Sequence, residues 1–369
     1  MKGAADKIVV NSLNISEYAV KPTDYIGVRP KMLVAEGDAV KAGTPLFFNK
    51  NNESVIFTAP VSGTIKAIRR GEKRVIQEVV IETSGEMQYE SFEAANPLQL
   101  SKQDIIDKML KSGTWTLLRQ RPFATIADPA TDPKAIFISG FDTAPLAPDY
   151  DLLLHGRGEV FQAGLDALSK LTSGKVHLSI NPKINHTGVY TNSKNVEIHQ
   201  FEGKHPTGNV GIQINHIDPI NKGDIVWVVN PQDVATIGTL FTEGIYRPEK
   251  IIALCGSSVR KPQYHRVYAG ACISSLVESQ VEDQNVRYIS GNVLTGTKID
   301  GFLGAFDNQI TVIPEGDKYE FMGWLTPGLS KFSFSHTFLS GFANNFGSKK
   351  EYDIDTNMHG ERTAYVVTG

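Results

Sequence analysis

Few stretches of this chain have residue types and spacings that could do chemistry. His155-Gly156-Arg157-Gly158-Glu159-Val160-Phe161 sets two glycines and a cation at a predicted strand-to-helix turn. Backbone N–H groups and the helix dipole in such a turn can meet an anion, a flavin phosphate among them. The stretch is not Gly-x-Gly-x-x-Gly with a ribose acid in register, and it lacks Gly-Lys-Ser/Thr. A short Gly-Arg-Gly also serves any tight turn, so a structural role and a ligand or partner contact both stay open. Gly140-Phe141-Asp142-Thr143-Ala144-Pro145 follows a predicted strand, at the end where open α/β sheets bind ligands. Asp142 there reads as a turn or cap residue rather than as a catalytic acid. The nine histidines show no metal spacing: His199 and His205 stand six apart, and His265 is isolated. No His-Glu-x-x-His, Cys-x-x-Cys or Gly-x-Ser-x-Gly occurs, so no residue is read as catalytic and none as a metal ligand. Two cysteines, Cys255 and Cys272, exclude a four-thiolate cluster and a disulfide scaffold.

The elements that must position these residues change along the chain. At 369 residues, with 41% hydrophobic and 21% charged, several domains with real cores are expected. Lys+Arg 37 against Asp+Glu 40 leaves −3, which gives no field to hold nucleic acid. No apolar run approaches the ~18–20 residues of a membrane span. The opening MKGAADKIVVN lacks a secretory apolar block, so a cytoplasmic protein is expected. After Ile8-Val9-Val10, residues 25–82 read as short strands cut by Gly and Pro, a small β-barrel or sandwich. Ser101-Lys102-Gln103-Asp104 predicts a capping box opening a helix that buries Ile105, Ile106, Met109 and Leu110. Ala135-Ile136-Phe137-Ile138, Leu152-Leu153-Leu154, residues 176–180, 224–229 and 250–254 read as strands. Val160, Phe161, Leu165, Leu168 and Leu171 read as one helix stopped by Gly174, and Pro231-Gln232-Asp233 opens another. Strand, helix, strand at this spacing predicts an open α/β sheet with crossover helices. Beyond Cys255 the pattern predicts a β-rich module. After Pro314, Tyr319, Phe321, Trp324, Phe332 and Phe334 follow no clear period, and residues 364–369 read as strand-like.

The barrel has the punctuation of a biotinyl or lipoyl carrier: Glu36-Gly37-Asp38-Ala39-Val40-Lys41-Ala42-Gly43, then Ala59-Pro60-Val61-Ser62-Gly63. In the carrier pattern the modified lysine stands about eleven residues before the glycine matching Gly63, a count that lands on Asn52. Lys50 is out of register, so the resemblance implies the scaffold without the covalent group, and Lys50 reads as an exposed loop lysine. More particular phrases are Gly27-Val28-Arg29-Pro30-Lys31-Met32-Leu33-Val34, Thr116-Leu117-Leu118-Arg119-Gln120-Arg121-Pro122-Phe123, Phe141-Asp142-Thr143-Ala144-Pro145-Leu146 and Asn230-Pro231-Gln232-Asp233-Val234-Ala235-Thr236-Ile237-Gly238. With these, the whole chain resembles the A subunits of the sodium-translocating NADH:quinone oxidoreductases. That family is related to the C subunit of the Rnf complex and to the NADH-binding flavoprotein subunit of complex I.

The resemblance implies an α/β multidomain protein. A biotinyl-like barrel-sandwich spans 1–98, a Rossmann-like open α/β domain 99–255, and a β-grasp soluble-ligand-binding module 256–313. Residues 314–369 would lead to a helical region expected in the family beyond Gly369. It further implies a peripheral member of a six-subunit complex that oxidises NADH, reduces quinone and exports Na+. It would lie on the cytoplasmic face of the bacterial inner membrane, docked on the B subunit and touching the membrane only through partners. Flavins and an iron–sulfur centre are expected in the other subunits and none on this chain, which is not expected to be catalytic alone. Asp142, Thr143, Gly156, Arg157, Gly158, Phe161 and Gln162 are the candidate contacts to quinone or partner. The alternatives are an FMN site on residues 156–164, where Phe161 would crowd a planar ring, and a purely structural assembly role.

Overall fold

The structure is a computed structural model, and it describes residues 1–83, 85–281, 285–316, 320–329, 331, 338–345 and 351–357. Tyr319, Phe332, Phe334 and the strand-like end at 364–369 lie outside the described residues, as does the side chain of Trp324.

Apolar runs cut by Gly and Pro form strands throughout the first part of the chain. These are β1 (Asp6–Asn11), β2 (Glu17–Val20), β3 (Pro30–Met32), β4 (Ala39–Val40), β5 (Pro45–Asn49), β6 (Asn52–Thr58), β7 (Gly63–Arg70) and β8 (Ile76–Glu82). Two antiparallel sheets, ordered β2-β8-β7-β4 and β3-β5-β6, make the barrel-sandwich. They share a core of Leu46, Phe47, Val55, Phe57, Ile65, Val79 and Ile81, in which the rings of Phe47 and Phe57 stack 4.5 Å apart. Burying such side chains contributes roughly 1.5–3 kcal/mol each. Lys50 sits exposed at the tight turn between β5 and β6, its N–H donating to the Arg29 carbonyl at 2.8 Å.

The second unit opens with α1 (Lys102–Ser112), whose capping box of Ser101 and Asp104 forms as the sequence predicts. The elements β9 (Arg119–Arg121), β10 (Thr125–Ile126), β11 (Ala135–Ser139), α2 (Tyr150–Leu153), α3 (Gly158–Ser169) and β12 (Lys175–Ile180) follow. Then come α4 (Gly188–Thr191), β13 (Glu197–Gln200), α5 (Val210–Ile217), β14 (Val226–Val228) and α6 (Pro231–Glu243). The sheet runs β10-β9-β14-β11-β12-β13, parallel from β14 to β13. Ile136 and Ile138 of β11 pack in the core that holds α3 and α6, whereas Ala135 and Phe137 pack on the other side with Ile214 of α5. This period-two split is what makes the strand apolar on both faces.

Two readings change here. Leu152 and Leu153 are helical rather than extended, because Asp149 accepts from the N–H groups of Asp151 and Leu152 at 2.9 and 3.3 Å and caps a short helix. The glycine-bearing turn at 156–158 therefore follows a helix, not a strand. Helix α3 ends at Ser169, a turn before the predicted stop.

The third unit contains β15 (Glu249–Cys255), β16 (Gln263–Tyr268), α7 (Ser274–Val277), β17 (Val286–Ser290), β18 (Thr297–Lys298) and β19 (Gln309–Pro314). Its sheet is ordered β1-β16-β15-β19-β17-β18. The strand at 250–254, read from sequence as the end of the α/β domain, lies inside this third sheet. The N-terminal strand, read as part of the barrel, forms its edge. Both follow from burial: Val9 packs on a cluster of Leu153, Ile251, Ala253 and Tyr264, which the barrel could not supply.

Candidate functional site

The second sheet reverses its winding between β11 and β14. From β11 the chain winds outward through β12 and β13, then returns by α5 to place β14 on the other side. Open α/β sheets bind ligands in the crevice at such a switch point, beyond the carboxyl ends of the strands. A cavity of about 450 Å³ opens at this place. Ser139 at the end of β11, Phe141 and Asp142 beyond it, Val229 and Asn230 after β14, and Asn209 at the start of α5 line one side. Phe306, Asp307 and Asn308 of the third unit close it from the other.

Arg119 and Arg121 bring the charge. They alternate on β9, which pairs antiparallel with β14, so period two sends both side chains to one face. Both line the cavity, and the Nε of each is buried with no hydrogen-bond partner. The Arg119 guanidinium lies 4.4 Å from the centre of the Phe306 ring. Burial, then the Arg121 charge, holds the Arg119 pKa below the ordinary guanidinium range. Donors that outnumber their acceptors suit an incoming acceptor-rich group such as a carbonyl, carboxylate or phosphate oxygen. Sequence reasoning passed over both arginines. Their signal was the Arg-x-Arg alternation inside a strand, visible only once residues 119–121 are known to be extended.

Of the residues singled out by sequence, Asp142 lines this cavity, its carboxylate also accepting from the Ala144 N–H at 2.9 Å. Thr143 stands beside it, its Oγ1 accepting from the Gly208 N–H at 2.9 Å and lying 3.2 Å from His205 Nδ1. The second group does not join them. Arg157 donates from Nη1 to the Glu249 carbonyl at 3.1 Å, and burial pushes its pKa down. Phe161 is 1% exposed and meets Tyr190 edge-on at 5.7 Å. Gln162 is tied to Asp166 at 2.8 Å and to both the N–H and the carbonyl of Lys194, at 2.9 and 3.1 Å.

The glycines of 156–164 have structural occupations. Gly156 takes φ +74, a left-handed turn conformation. A Cβ on Gly164 would lie 2.0 Å from the Val234 carbonyl oxygen, so this glycine lets α3 touch α6. Gly156 and Gly158 both have room for a Cβ, so only the positive φ of Gly156 and the close approach at Gly164 call for glycine. Phe161 itself is packed in the core, while Glu159, Gln162 and Ala163 line a separate surface cavity. Elsewhere on the sheet, His177 of β12 meets Glu197 and His199 of β13 at the open edge, although no sequence spacing joins them.

Among the described residues no helix is long and apolar enough to cross a membrane. Family models match in three consecutive stretches: the NqrA N-terminal barrel-sandwich hybrid domain over residues 1–84, the NqrA second alpha/beta domain over 100–246, and the NQRA C-terminal domain over 251–301. The A subunit of the Na(+)-translocating NADH-quinone reductase of Yersinia pseudotuberculosis is 41% identical over 100% of this chain and 82% of its own length. The proteins of the same name from Neisseria meningitidis serogroup B and Pasteurella multocida are 40% and 38% identical, each with the same coverage. Among solved structures, an NAD+-reducing [NiFe]-hydrogenase in the H2-reduced state aligns with 59% of this chain and 48% of its own. That likeness is remote, with a TM-score of 0.39 at 14% identity. On the unbroken match along its whole length, the chain belongs to the NqrA family, the A subunits of the Na(+)-translocating NADH-quinone reductases.

Proposed function

We propose that this chain serves at the quinone-reducing end of a Na(+)-translocating NADH-quinone reductase, with its switch-point cavity receiving the quinone head group. In this reading it docks on the B subunit at the cytoplasmic face of the inner membrane and carries no flavin or iron–sulfur centre of its own. One observation supports the site: the cavity joins Arg119 and Arg121, each with an unpartnered Nε, to Asp142, Phe141 and Phe306. A quinone ring presents two carbonyl oxygens that only accept hydrogen bonds. Reduction adds two electrons and two protons, and negative charge collects on those oxygens before they are protonated. Guanidinium donors already in place stabilise that charge without reorganising. Phe141, Val229 and Phe306 give the ring apolar contacts within an otherwise polar lining.

The test is replacement of Arg119 or Arg121 by Ala in the assembled reductase. Losing a charge-assisted bond of ~1.5–3 kcal/mol should slow quinone-dependent NADH oxidation by about 10- to 100-fold. NADH oxidation by an artificial acceptor that bypasses quinone should be unchanged. An assembled complex with an undiminished quinone rate would leave the chain a structural role only.

A further inference from the structure

We propose that His177, Glu197 and His199 form a transition-metal site, of the kind that takes Zn2+ or Co2+, at the open edge of the second sheet. The three residues come from adjacent parallel strands whose register sets His177 opposite Glu197 and Ser179 opposite His199. Period two then points all three side chains to the face that packs against α5. His177 Nδ1 lies 2.9 Å from His199 Nε2 and 3.6 Å from Glu197 Oε2. One ligand atom from each residue falls within 4.8 Å of the others. A tetrahedral ion with bonds of ~2.0–2.1 Å needs ligand atoms roughly 3.3–3.4 Å apart, a spacing that the observed distances bracket. Side-chain shifts of a few tenths of an ångström would close the site around an ion.

The surroundings suit a ligand set rather than a chance meeting. His177 is 6% exposed and stacks on Phe137 with ring centres 4.8 Å apart, which fixes the ring plane. Lys175 pairs with Oε1 of Glu197, leaving Oε2 turned to the histidines. Such an outer contact orients a ligating carboxylate. Two imidazoles and one carboxylate favour Zn2+, Co2+, Ni2+ or Cu2+ over Mg2+ or Ca2+, which want oxygen sets. His199 and Glu197 are partly exposed, so the fourth position is open to water. The ion would fasten β13, the last strand of the sheet, to β12.

The experiment is titration of the chelator-treated full chain with Co2+ followed by visible absorption, and with Zn2+ followed by calorimetry. One equivalent with tetrahedral Co2+ bands is expected, with Zn2+ raising the thermal midpoint. His199→Ala and Glu197→Gln, both at partly exposed positions, should each weaken binding at least tenfold and abolish the Zn2+ shift while keeping the fold, checked by circular dichroism. Absence of saturable binding, or variants that bind as the wild type does, would overturn the site and leave a hydrogen-bonded histidine pair.

Discussion

The Cys255 thiol lies 3.4 Å from the Ile310 carbonyl and 3.6 Å from Thr311 Oγ1, and burial pushes its pKa up to about 11. A thiol is nucleophilic only as thiolate, so Cys255 is inert at neutral pH, whereas Cys272 is partly exposed. Alkylation at pH 8 should label Cys272 and reach Cys255 only after unfolding, a difference that peptide mass mapping reads directly. The sign of the pH effect follows from the raised value. Above the unfolded value of about 9 the unfolded chain loses this proton while the folded chain keeps it, so stability falls between pH 9 and 11. That loss is roughly 3 kcal/mol. Denaturant unfolding of wild type and Cys255→Ala over this range should show it, the wild type losing more. At this scale the sequence was a partial guide to the candidate site. Asp142 was legible because a strand end is a known place for ligands. The burial of Phe161 was not legible, because a helix-opening glycine turn reads alike whether it faces a cavity or a core.

Helices α3 and α6 cross with their backbones in contact. A Cβ on Gly238 would lie 1.6 Å from the Val160 carbonyl oxygen, and one on Gly164 2.0 Å from that of Val234. Gly238→Ala should therefore destabilise the chain by roughly 1–3 kcal/mol through overpacking. Gly211 in α5 has nothing within 4 Å of a Cβ. Gly211→Ala should be neutral or stabilising by up to about 1 kcal/mol, since alanine is the better helix former. Urea midpoints of the two variants check the contrast. The elements themselves were largely legible, since α1, α6, β11 and β12 declare their period and their caps. The helix at Tyr150–Leu153 was not, because three consecutive leucines carry no period of their own and the Asp149 cap decides.

Across the molecule, the α/β unit and the third sheet are joined by buried polar groups. Asp233 of α6 and Lys250 of β15 pair at 3.2 Å with side chains 1% and 2% exposed. Lys250 also donates to the Ala305 carbonyl at 2.7 Å. Gln232 beside them accepts from the Ile251 N–H at 2.8 Å and donates to its carbonyl at 2.9 Å. Lys250→Ala would leave the Asp233 carboxylate buried without its countercharge, at a cost of about 3–5 kcal/mol. Replacing the pair together, Lys250→Met with Asp233→Leu, should recover most of that. Thermal and urea unfolding of the wild type, the single variant and the double variant reads both the loss and its recovery. Domain boundaries were the least legible feature at this scale, since β1 and β15 are indistinguishable by pattern from strands of the neighbouring units.

The amino-acid sequence by itself determined the strand and helix periods, the capping box at Ser101, the absence of a four-thiolate cluster and the family phrases. Each of these is local, set by residues a few positions apart. Only the tertiary structure decided which strands share a sheet. It alone put Arg119 and Arg121 across from Asp142, and His177 beside His199. Those meetings depend on long-range register and on which apolar faces cover one another, and hydrophobic burial, being non-directional, tells a segment to be buried without naming its partner.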